Sequence, residues 1–196
     1  MRSEAKNLLL TILLWAGVLV LVASIIFTVA GYIDQSEAVK VNGETVRVFH
    51  EIIPDVREGL IYDRTDYQMP VMELNGTDIV GLVEIPILSV EFPVYYKWDV
   101  RKADTVPCRF SGSVYDSTLI IGGADRKGQL GFTEEICVGD KLFLTDVTGE
   151  RFEYVVSEIR VMKHAFEKDD GSNNDLIIFS KNVYSKGCTV IYCNLK

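Results

Sequence analysis

The side chains of this chain best suited to covalent chemistry are Cys108, Cys137, Cys188 and Cys193, and only two histidines, His50 and His164, exist to assist them. A thiol attacks a carbonyl as its thiolate, so a nucleophilic cysteine needs a base or a fixed cation beside it. No two cysteines are spaced as C-x-x-C, which removes a zinc or dithiol redox reading. Cys188 and Cys193 share the strand-like run "CTVIYCNL". Five residues of strand hold such a pair about 17 Å apart on opposite faces, too far for a disulfide. Buried free thiols are the simpler reading. His164 lies in the polar stretch "VMKHAFEKDD", expected to be a solvated loop, and Ser180 has no base to activate it. The acidic "EKDDGSNND" lacks the ligand spacing of a calcium loop, so the sequence implies no metal and no cofactor.

The elements that must position these residues are short. From Asp78 onward the runs "IVGLVEIP", "SVEFPVYY", "STLIIGG", "KLFLTD", "RFEYVVSEIRVM", "DLIIFS" and "CTVIYCNL" recur between Gly and Asp turns. Val, Ile, Phe, Tyr and Thr dominate them, as in strands. Helical periodicity is nearly absent, and the best candidate is a short helix over residues 131–137. Regular short strands with such turns predict an all-β sandwich or closed barrel. Asn75-Gly76 is expected to turn the chain into this fold, and Asn42-Gly43, flanked by alternating valines, predicts a small hairpin before it.

Ahead of the strands, residues 8–33 carry no charge. About 20 apolar helical residues cross a bilayer, and this run is too long for a cleaved leader, so it predicts a single uncleaved anchor. Arg2 and Lys6 precede it while Asp34 and Glu37 follow, which keeps the N-terminus inside and sends the rest outside the cytoplasm. The expected organisation is residues 1–7 cytoplasmic, 8–33 transmembrane, 34–77 an extracytoplasmic stalk and 78–196 the β domain. The chain has 28 acidic against 20 basic residues and a net charge of −8, which argues against a nucleic-acid partner.

Four motifs in order then become specific: "GLVEIPILSVEFPVYYKW", "VPCRFSGSVYDSTLIIGGAD", "VGDKLFLTDVTGERFEYVVSEI" and the closing "DLIIFS…CTVIYCN". Together, over about residues 69–196, they resemble the sortases, membrane-anchored cysteine transpeptidases of Gram-positive cell walls. The resemblance implies an eight-stranded β-barrel behind the anchor. It also implies three reactive positions: a histidine after the strand like "STLIIGG", a cysteine ending the strand like "DLIIFS", and an arginine opening the last strand. In such enzymes the thiolate attacks a sorting signal of LPxTG type, the histidine protonates the leaving amine, and the arginine holds substrate or oxyanion.

In this chain Ala124 occupies the histidine position, Lys181 the cysteine position and Cys188 the arginine position. The resemblance therefore implies a catalytically inactive, sortase-like protein that binds or scaffolds sorting-signal peptides, pilin-like surface proteins or an active sortase. The alternative is an active transpeptidase with a relocated nucleophile. Cys188 would then draw on Lys181 to lower its pKa, or Cys193 would serve in a register that leaves only three residues after it.

Overall fold

The structure is a computed structural model that describes residues 2–53, 55–58, 67–116, 118–126, 129–133, 135–167, 173–182 and 185–196. By its contacts the chain divides into two compact units, Met1–Glu37 and Ala38–Lys196. A single helix, α1 (Arg2–Ile52), begins in the first unit and ends in the second. Its segment Ile12–Ala30, 19 residues, is long and apolar enough to cross a membrane, and its side chains are bare.

The second unit is built of ten strands: β1 (Arg57–Glu58), β2 (Met72–Leu74), β3 (Thr77–Ile85), β4 (Val90–Tyr95), β5 (Cys108–Ser111), β6 (Leu119–Ala124), β7 (Lys141–Asp146), β8 (Glu150–Met162), β9 (Leu176–Lys181) and β10 (Cys188–Leu195). Eight close into a barrel in the order β8-β10-β9-β6-β5-β4-β3-β7, with β7 pairing back onto β8. Strands β1 and β2 are short additions to β8 and β3. The barrel and the apolar helix before it are the expected sortase-like architecture.

Alternation along each strand sorts side chains into an interior and an exterior. The interior is one apolar cluster, with Val83, Phe92, Ile121, Leu144, Phe152, Ile178 and Ile191 among its buried members. Two exterior faces are also covered. One is packed by Phe49 and Ile53 against Ile79, Leu82 and Tyr95. The other lies over β6, β9 and β10 and bears on the site below.

Two expectations fail. The predicted hairpin at Asn42-Gly43 is the last third of α1 instead. Asn42, Thr45, Phe49 and Ile53 fall on one helical stripe and are buried, so tertiary packing overrides a local turn signal. The expected helix over residues 131–137 is a run of turns among its described residues, bonded Thr133 N–H to Leu130 and Glu135 N–H to Phe132. By contrast, Asn75 (φ 50°) and Gly76 (φ 75°) form the expected tight turn between β2 and β3. The acidic stretch weighed as a calcium loop falls largely on residues outside those described.

Candidate functional site

The β6–β9 pair is parallel and sets Ala124 beside Lys181. The β9–β10 pair is antiparallel and sets Lys181 beside Cys188. Three positions distant in sequence therefore form one row across three neighbouring strands, all at the same end of the barrel. Residues facing each other in a ladder point to the same side. Alternation from Ile121, Ile178 and Ile191, which face inward, puts this row on the outer face.

The row is mostly buried. Ala124 is 1% and Cys188 3% exposed. Lys181 is half-buried, and its ammonium leaves the row: Nζ lies 2.7 Å from Asp104 Oδ1 and 3.4 Å from the Val100 carbonyl, with the Trp98 ring 5.9 Å away. Asp104 sits in a short 3-10 turn, Lys102–Asp104, on the β4–β5 connection. That turn is opened by the Asp99 carboxylate, which accepts the N–H groups of Lys102 and Arg101. These bonds hold the Asp99 carboxyl below the usual range. Gln129, fully buried, ties the turn to the row: its Oε1 accepts from Ala124 N (3.3 Å) and its Nε2 donates to the Asp104 carbonyl (2.9 Å). Sequence reasoning missed Gln129, because a glutamine in "DRKGQLG" gives no sign that it is buried.

Three of the four thiols are buried. Cys188 Sγ donates to the His164 carbonyl at 3.4 Å, and burial raises its pKa. The Lys181 ammonium, weighed from the sequence as a partner for this thiol, pairs with Asp104. Cys193 lies inside the barrel, where burial pushes it up to about 12, and Cys108 is pushed up to about 11. Cys137 is exposed, and all four thiols are free. His164 Nδ1 lies 3.0 Å from its neighbour's carbonyl, and His50 pairs with Glu91 at 2.9 Å. Among the described residues, neither imidazole bonds to the row.

Beside the row, the outer face is filled by the protein's own aromatics. The Phe179 ring covers Gly122, where a Cβ would stand 2.2 Å from Phe179 Cζ. Phe166 stacks on Phe179 with centroids 4.5 Å apart. Phe110 and Trp98 pack against the same ring at 5.4 and 5.5 Å. As arranged, the site presents one paired cation, one protonated thiol and an aromatic cover.

The fold matches solved sortases. Sortase A from Corynebacterium diphtheriae aligns at TM-score 0.53 and 13% identity over 83% of this chain and 84% of that one. Sortase C1 from Streptococcus agalactiae aligns at 0.52 and 12%, over 84% and 91%. A Clostridium perfringens sortase C, solved with its C-terminal cell wall sorting motif, aligns at 0.52 and 16%, over 83% and 88%. No protein-family model and no curated protein matches the sequence. At such identity the likeness defines the fold: this chain has a sortase-like β-barrel.

Proposed function

We propose that this chain is a membrane-anchored, extracytoplasmic sortase-like protein without transpeptidase activity, which binds or scaffolds sorting-signal peptides or pilin-like surface proteins. The observation that carries the reading is the Ala124–Lys181–Cys188 row. The positions to which the sortase resemblance assigns histidine, cysteine and arginine are adjacent in space, and none bears its expected group. Lys181 is an ammonium paired with Asp104 and has no sulfur with which to form a thioacyl enzyme, while the Cys188 thiol, among the described residues, bonds only to the His164 carbonyl. Arg2 and Lys6 before the apolar helix support an inside N-terminus, with residues 8–33 as the anchor and the barrel domain of residues 78–196 outside. The sorting motif recorded with the Clostridium perfringens sortase C supports such peptides as the ligand class.

The test incubates the full chain in detergent with LPxTG-type peptides and triglycine, followed by intact-mass spectrometry. The expected result is no acyl adduct, with peptide binding seen by titration. An adduct that disappears in Cys188→Ala or Cys193→Ala would establish a relocated nucleophile and sink the proposal.

A further inference from the structure

Strand β8 outruns its partner on one side. The β7–β8 ladder ends at Lys141↔Val155, with one further exchange between Val156 and the turn at Gly139 and Asp140. The β8–β10 ladder continues to Cys188↔Met162. Residues 157–162 are thus paired on the β10 side only, among the described residues. A β-bulge sits at the transition: Cys193 faces Val156 but Tyr192 faces Glu158, leaving Ser157 as the extra residue. Past the bulge, ladder alternation turns the N–H and C=O groups of Ile159 and Val161 away from β10, onto the open edge.

Exposed edges are normally guarded by inward charges, prolines or covering loops. The charges here lie on the outer face, where Arg160 pairs with Glu158 and sits 4.6 Å over the Tyr192 ring. The inner face carries Ile159 and Val161 instead, and Val161 is 81% exposed. Between this edge and the turns at Thr133 and Ile136 lies a cavity of about 400 Å³, with Cys188 at its rim. Its lining includes Ser180 and Thr133, 1% and 3% exposed, whose hydroxyls have no hydrogen-bond partner among the described residues. A buried hydroxyl without a partner costs free energy that a ligand would recover.

We propose that this cleft takes an extended peptide, which adds as a strand to the open edge of β8 along the line that β7 leaves at Lys141. Three features select that occupant. The edge asks for a partner main chain with both N–H and C=O groups. Ile136, Ile159 and Val161 ask for an aliphatic side chain between them. Ser180 and Thr133 ask for an amide or hydroxyl. The site opens on the face of β9 and β10 opposite Phe179, so it stands whether or not the outer row retains any acyl chemistry.

The test is a selection of displayed random decapeptides on the full chain in lipid nanodiscs, counter-selected with Val161→Pro. Enriched peptides are expected to slow hydrogen exchange at the Ile159 and Val161 amides. Methylating alternate amides of a synthetic winner should weaken it about tenfold, a test that leaves the protein untouched. Ser180→Ala or Thr133→Val should weaken it about fivefold. The proposal is overturned if no peptide is enriched over the counter-selected variant, or if protection appears over the aromatic cluster instead. Indifference to N-methylation would overturn it as well. So would edge amides already protected in a concentration-dependent way, since two copies would then be pairing edge to edge.

Discussion

Lys181 and Cys188 face each other across the β9–β10 ladder, yet the lysine ammonium turns away to Asp104, at 2.7 Å, and leaves the thiol with a backbone carbonyl as its partner. Register alone makes them neighbours, and the ion pair with Asp104 decides where the ammonium goes.

Alkylation should follow from that arrangement. Burial raises Cys188, Cys108 and Cys193, the last two to about 11 and 12, so their thiolates are scarce at neutral pH. Iodoacetamide at pH 7 should modify the exposed Cys137 first and leave the other three intact on the same timescale. The rate at Cys188 should climb about tenfold per pH unit as the solution is made alkaline. Peptide mapping after timed quenching measures this, and fast labelling of Cys188 at pH 7 would contradict the assignment.

The aromatic cover depends on a missing side chain. A methyl at Gly122 would meet the Phe179 ring, which is itself wedged among Phe166, Phe110 and Trp98. Gly122→Ala should cost about 1–3 kcal/mol in denaturant unfolding and alter Trp98 emission through the displaced ring. An unchanged midpoint and spectrum would mean that the ring yields freely.

Asp146 is the most heavily bonded buried carboxylate that the described residues show. It accepts from the Tyr115 hydroxyl, from the N–H and Oγ1 of Thr148 and from the Glu150 N–H. Asp146→Ala strands these buried donors and should destabilise the barrel by about 3–5 kcal/mol, with Asp146→Asn costing less because it keeps an acceptor oxygen. Chemical denaturation of both variants makes the comparison.

Near the last residues, Lys141 and Lys196 hydrogen-bond Glu153 at 2.8 and 3.1 Å and hold its carboxyl below the usual 4.5. A depressed folded-state pKa stabilises the protein above the unfolded value, and the contribution is lost as pH falls through the folded one. The Tm of Glu153→Gln should therefore lie slightly below wild type at pH 7, and the gap should close in acid. A gap that does not narrow as the pH falls would assign the effect to packing.

The barrel was legible because its strands write themselves in short apolar runs between turn residues: β3, β4, β6, β7, β8, β9 and β10 each coincide with one. Strand β5 was not, since "CRFS" is four residues beside a proline and pairs with β4 at a single register point. The end of α1 was misread because Asn42-Gly43 is a turn signal only where no apolar surface waits for the helical stripe around it. The row was legible as three motif positions. What the sequence withheld was the neighbourhood: Asp104 and Gln129 come from segments without regular pattern, and nothing local shows that Phe166 returns to lie on Phe179.

Because Ala124, Lys181 and Cys188 stand at strand ends and are aligned by main-chain ladders, their alignment owes nothing to the identity of their side chains. Such a frame is indifferent to its own chemistry. A substitution at any of the three positions changes the chemistry on offer while the strands that present it stay where their ladders hold them.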